Sequence, residues 1–274
     1  MKIWYQSFSF ASPDPKEAYP RILRESIAAL CGADTEIIFG NMGRSIPSGH
    51  HMRVIQAYDI PEMLKNLIGA ERNGYDAIII GNALDPGLFE ARQLVRIPVL
   101  SIGQTALLYA QQIATKALVI ASGRKAIGIV RENVKRYGLS ESVQNVVAAA
   151  SDLSIKDMTS SFEDLELREK VISAFKESVT RHLTDDIDIV LPMAGILQVL
   201  LVHAGVFSIE QRPIVPGYLV TGLMAEMAAK LHKTGISTSG HGPFAPMTPD
   251  LQKQVARVWP EWYPMADTGK EASQ

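Results

Sequence analysis

Short apolar runs bounded by turn residues alternate along this chain with longer stretches in which apolar side chains recur every three or four positions. The clearest run is Ala77-Ile78-Ile79-Ile80, entered from Asn73-Gly74 and left through Gly81-Asn82-Ala83-Leu84-Asp85-Pro86-Gly87-Leu88. Continuous β-branched side chains predict a parallel strand covered on both faces. Asp85 stands where a helix N-cap belongs and Pro86 where a first helical residue belongs, which predicts a helix through Arg92. Residues 81–84 would then sit at the carboxyl end of a strand beside a helix N-terminus. Open α/β sheets bind ligands there, and free N–H groups favour an anion. A counterpart follows later: an apolar strand over 187–191, the loop Pro192-Met193-Ala194-Gly195 and an apolar helix over 196–204. Two strand–loop–helix units about one domain apart predict two related halves with a site between them.

The remaining pattern fits the same scheme. Further strands are expected over 3–7, 35–39, 97–101, 116–121, 146–149 and 213–215. Helices are expected from Ala18 to near Gly32 and over 61–73, 105–112, 125–137, 165–183 and 218–232. The stretch Ser12-Pro13-Asp14-Pro15 reads as a turn, and residues 40–57, with Pro47 and the pair His50-His51, as a long lid or binding loop. Alternating strands and helices predict an α/β fold with parallel sheets and helices on both faces. The last twenty or so residues, with Trp259 and Trp262, read as a tail packed on the surface or on a partner subunit.

Composition narrows the function more than the fold. The chain has 274 residues, 47% hydrophobic and 20% charged, with a formal charge of −2. No basic tract is present, which argues against nucleic acid as a partner. No apolar run reaches the roughly 20 residues that a membrane helix needs, and the start lacks the layout of a signal peptide, so a cytoplasmic protein is expected. The single cysteine, Cys31, excludes an intrachain disulfide and any multi-cysteine metal site. Its place at the end of a helix predicts a buried structural thiol rather than a nucleophile.

Candidate chemistry gathers at the loops. Asn82 is placed to donate to a substrate carbonyl and stabilise an oxyanion, together with the N–H groups of residues 83–85. Ser122, in Ser122-Gly123-Arg124, opens a helix and offers a hydroxyl and main-chain donors to an anion. Gln6 and Ser7 end the first strand and are placed as ligand contacts, with Gly81 and Ala83 beside them. Among six histidines, His51 is chosen for acid–base work; no pair has the spacing of a helical metal motif, so no metal site is assigned.

At these loops the chain resembles the aspartate/glutamate/hydantoin racemase superfamily. The segment Gly74 to Gly81 with Asp85-Pro86-Gly87-Leu88 looks like the family's first catalytic loop, and Ile97-Pro98-Val99 with Gly103 like the segment after it. Leu191 to Gly195 looks like the second loop, and Ser237-Thr238-Ser239 like a late Thr-Ser element. The resemblance implies two pseudo-symmetric parallel-sheet domains, here 1–112 with 216–274, and 113–215, with an interdomain cleft. It also implies no organic cofactor and a small carboxylate or hydantoin-like cyclic amide as substrate, contacted by Met193, Ala194, Gly195 and Ser239. Family racemases carry a cysteine in each loop; here those positions hold Asn82 and Met193, and neither side chain transfers protons near neutrality. The expectation is therefore a cofactor-independent enzyme, hydrolase or lyase rather than two-thiol isomerase, forming a homo-oligomer. The alternatives are a non-catalytic small-acid binding protein and a metal-dependent hydrolase using the loop histidines.

Overall fold

The computed structural model describes residues 1–8, 17–44, 46, 49–149 and 154–263. The expected turn over residues 12–15, Pro47 and the tail from residue 264 lie outside them. Two parallel sheets form the frame. The first has the order β2-β1-β3-β4, from β1 (Lys2–Ser7), β2 (Glu36–Gly40), β3 (Ala77–Gly81) and β4 (Val99–Ser101). The second has the order β6-β5-β7, from β5 (Ala117–Ala121), β6 (Val143–Ala148) and β7 (Ile189–Met193). Pro192 lacks an N–H but sits in β7, at the edge of its sheet, where that loss is tolerated.

Strand β3 explains why an unbroken apolar run is required. Ile79 joins a core that extends across both sheets, whereas Ile78 and Ile80 face a second core with Met63, Leu67, Leu88 and Val99. Successive side chains point to opposite faces, so a strand buried on both sides has no polar position to spare. The two halves also share a device at the amino ends of their strands. Asp76, just before β3, accepts from the Lys2 N–H at 2.8 Å, and Asp188, just before β7, accepts from the Thr115 and Lys116 N–H groups at 2.8 and 2.9 Å. Each carboxylate thereby occupies donors that the neighbouring strand leaves unpaired.

The helices are α1 (Ala18–Ala28), α2 (Arg53–Arg72), α3 (Leu88–Leu94), α4 (Ile102–Ile113) and α5 (Arg124–Arg136) in the first part of the chain. They continue as α6 (Ile155–Ser160), α7 (Leu165–His182), α8 (Gly195–His203), α9 (Gly217–Lys233) and α10 (Pro249–Val258). Helix α9 returns to the first sheet, packing on α4, β3 and β4, while α1 packs on α8 and α9. Three boundaries differ from the periodicity. Helix α2 begins at Arg53 rather than residue 61, because Pro61 is accommodated inside it. Residues 213–215 are no full strand: Pro213 ends a two-residue hairpin, β8 (Ser208–Ile209) with β9 (Arg212–Pro213), and Ile214 makes one bridge to Val190. The tail region contains α10, capped by Thr248, whose hydroxyl accepts from the Leu251 N–H. No helix among the described residues is long and apolar enough to cross a membrane.

Candidate active site

A cavity of roughly 430 Å³ opens at the carboxyl ends of the strands and is lined from both halves. The loop after β3 contributes Gly81, Asn82, Ala83 and Leu84; the loop after β7 contributes Met193, Ala194 and Gly195. His50, His51, Ser122 and Tyr19 add polar groups, and Ile155, Met158, Val171 and Phe175 an apolar wall. Its size suits a small organic molecule. Of the residues expected at the site, His51, Gly81, Asn82, Ala83, Ser122, Met193, Ala194 and Gly195 all line it.

Gln6, Ser7 and Ser239 are not among the lining residues, and each has a physical reason. Gln6 shares a strand face with Trp4 and is fully buried there, accepting from the Trp4 indole N–H at 3.2 Å and donating to the Ser7 carbonyl at 3.0 Å. Ser7 is buried and paired in register with Gly81, one residue short of the loop. Ser239 is exposed, and its neighbour Thr238 donates to the Arg96 carbonyl at 2.7 Å. Arg96 precedes β4, so Ser239 lies toward the amino end of the sheet, away from the cavity.

The first loop is held by bonds from four directions. Asn82 Oδ1 accepts from the Leu84 N–H at 2.9 Å, and the Asn82 carbonyl accepts from the Asp85 N–H at 3.2 Å. Only the carbonyl oxygen of an amide can accept, so this turn fixes Asn82 with its NH₂ group uncommitted. The expected donor set shrinks accordingly: the Leu84 and Asp85 N–H groups are used in the turn, and the Ala83 N–H remains without a partner among the described residues. From the second half, Asn133 donates to the Leu84 carbonyl at 2.8 Å.

Asp85 does not cap the helix that follows it. Its φ is 53°, Gly87 at φ 65° precedes α3, and the carboxylate turns instead to the N-terminus of α4. There it accepts from the Ser101 hydroxyl at 2.5 Å and the Gly103 N–H at 2.8 Å, and from the hydroxyl of Tyr137, the residue that ends α5, at 2.8 Å. Burial pushes its pKa up to about 6, against the pull of these donors. Burial, and then the charge of Asp85, raises the Tyr137 phenol. This clasp joins the two halves beside Asn82.

The second loop is simpler. Strand β7 passes through Ala194 directly into α8, whose first N–H groups have no partner within the helix. Gln198, fully buried, donates to the Pro192 carbonyl at 2.5 Å and accepts from the Tyr218 N–H at 3.0 Å. Met193 is buried and presents a thioether where proton transfer would need an acid or base.

Both loop histidines reach the cavity. Burial, followed by the charges of Lys125 and His50, lowers the pKa of His51. His50 is tied from α2, in a segment read from the sequence as loop: Gln56 donates to its carbonyl at 2.7 Å, and its Nδ1 lies 3.2 Å from the buried carboxylate of Asp59. The sequence carried no signal for that pairing, because Asp59 was not expected to be helical. Cys31 is half-buried, away from the cavity; burial and then Glu226 push its pKa up to about 11, so it remains a thiol. Among the described residues, no three His, Cys, Asp or Glu side chains converge as a metal site.

Two parallel α/β halves thus share one cavity at their strand-end loops. The model of the Asp/Glu/hydantoin racemase family matches residues 13–191, and the chain belongs to that family. It is 28% identical to hydantoin racemase from Rhizobium meliloti over 178 residues, 62% of this chain and 67% of that protein. Allantoin racemase from Klebsiella pneumoniae matches with a TM-score of 0.70 at 22% identity, covering 96% of this chain and 99% of its own. Glutamate racemase RacE1 from Bacillus anthracis matches at 0.59 and 13% identity, covering 100% and 98%. At such identities the likeness of the two solved structures is one of fold. These relatives are named racemases, and they lend no support to the expected preference for hydrolase or lyase chemistry.

Proposed function

We propose that this chain catalyses proton transfer at a carbon next to a carbonyl in a small cyclic amide of the hydantoin type, using nitrogen groups where family members use thiols. The carrying observation is the make-up of the cavity wall. Among the described residues it contains two histidines and several N–H donors but no lysine, arginine or cysteine. A carboxylate substrate calls for a fixed positive charge, whereas a neutral ring of carbonyl and N–H edges suits amide and main-chain donors set in an apolar pocket. The Asn82 NH₂ group and the Ala83 N–H are placed to receive charge on an enolate oxygen. Similarity to a hydantoin racemase favours carbon-acid chemistry over ring opening. Homo-oligomer formation and the boundaries near residues 113 and 216 belong to the same reading.

The test is incubation of one enantiomer of 5-isobutylhydantoin in D₂O with the full chain. Deuterium should enter at the ring carbon faster than without enzyme, followed by proton NMR. A ring-opened carbamoyl acid would make the chain a hydrolase. The absence of both exchange and ring opening would also overturn the reading.

A further inference from the structure

His50 differs from an ordinary buried histidine in having one nitrogen bound and the other left over. Its Nδ1 faces the Asp59 carboxylate at 3.2 Å, and the two side chains are 13% and 6% exposed. Asp59 has no other hydrogen-bond partner among the described residues. An ionised carboxylate can only accept, so beside it Nδ1 carries a hydrogen, and in an uncharged ring the lone pair is then on Nε2. That Nε2 is buried and has no hydrogen-bond partner among the described residues. A buried polar atom without a partner is destabilising, and such atoms persist where a ligand or reaction uses them. His50 is one of the residues lining the cavity, so a group bound there lies beside this ring. His232, also with an unpartnered buried nitrogen, sits on α9 and is not among the lining residues.

The ring is also held in position. Gln56 and Asp59, both on α2, fix its backbone carbonyl and its Nδ1, and Phe8 meets the ring edge-on at 5.8 Å between centroids. His51 lacks such support: among the described residues no hydrogen bond orients its ring, and burial, Lys125 and His50 disfavour its charged form. Glu62 adds negative charge beside Asp59. The pair thus has the layout of a base with an orienting carboxylate behind it.

We infer that His50 is the catalytic base of this site and Asp59 its positioning residue. This rests on the carbon-acid reading above. His50 Nε2 takes the proton from the ring carbon, and the electron pair of that C–H bond moves toward the adjacent carbonyl. The enolate oxygen accepts from the Asn82 NH₂ group. Asp59 balances the charge of the imidazolium. The proton, or a deuteron taken up from solvent, then returns from Nε2 to the carbon and restores the carbonyl.

Exchange of 5-isobutylhydantoin in D₂O again provides the measurement, on folded full-length variants checked by thermal melting. His50→Gln should lower the exchange rate by about 10²–10⁴-fold, the range for a general base, and by more than His51→Gln does. Asp59→Asn should lower kcat with KM little changed, and Asp59→Glu should recover part of the loss. Added imidazole should restore exchange to His50→Ala, which a purely structural histidine would not permit. Exchange by His50→Gln near the wild-type rate, or a larger loss in His51→Gln, would overturn the assignment alone. A wild-type chain that exchanges no hydantoin would overturn the functional reading and the base with it.

Discussion

The loop after β3 and the loop after β7 occupy equivalent places in two similar halves, yet they are built by different chemistry. The first is clasped by Ser101, Gly103, Asn133 and Tyr137 around a buried carboxylate and a left-handed Asp85. The second runs straight into a helix and is braced by one neutral amide, Gln198. Polar donors remain at the first loop, while the second offers a thioether and open helix N–H groups. A fold with near two-fold internal symmetry therefore presents an asymmetric site. On the proposed carbon-acid reading, that asymmetry makes proton transfer one-sided, since Met193 cannot serve a second face.

The sharpest way to break this contrast is at Asn82. If its NH₂ group stabilises an oxyanion, Asn82→Ala should reduce kcat by roughly 10²–10³-fold. Affinity should change far less, because the interaction strengthens in the transition state. Asn82→Asp keeps the acceptor for the Leu84 N–H but removes the donor, so it separates the two roles. Wild-type kinetics in Asn82→Asp would reduce the residue to a turn former.

The second test is pH. An Asp with a pKa near 4 when unfolded and about 6 when folded binds more protons in the folded state between those values. Its contribution to stability is complete below about pH 4 and is lost as pH rises through about 6, worth up to roughly 3 kcal/mol. Urea titrations across this range should show the decline, and Asp85→Asn should flatten it. Gln198 does not titrate, so the second loop should add no such slope.

Glycines at the two loops provide a third comparison. A Cβ at Gly103 would lie 2.3 Å from the Ala83 carbonyl oxygen and 2.6 Å from Asp85 Oδ2, whereas one at Gly195 would meet only the Tyr19 hydroxyl at 3.8 Å. Gly103→Ala should cost about 1–3 kcal/mol by overpacking, measured by denaturant unfolding, and Gly195→Ala well under that. The smallest expected effect is at Met193. Wild-type exchange should outrun inversion of the ring carbon, and Met193→Cys should raise inversion relative to exchange by about tenfold through a thiol on the second loop. Polarimetry alongside NMR would read the ratio, and an unchanged ratio would show that the second face is served by another group.

Much of this was legible beforehand because it is local. The run 77–80 could only be a strand covered on both faces, and the unit from 187 to 204 repeated its form, with Gly205 at φ 69° ending α8. The absence of cysteine at residues 82 and 193 was equally plain. The start of α2 was misplaced because Pro61 reads as a helix start in the sequence, although the helix continues through it.

What the sequence by itself determined, then, was the order of strands and helices, the two strand–loop–helix units and the loss of both thiols. These rest on backbone periodicity and side-chain type, which act over a few residues. Only the tertiary structure decided that Asp85 caps α4 and binds a tyrosine 52 positions away, that Asp59 orients His50, and that Gln6, Ser7 and Ser239 stay off the cavity wall. A buried polar side chain takes its partner from whatever element packs beside it, and that neighbour is set by the assembly of the cores rather than by spacing along the chain.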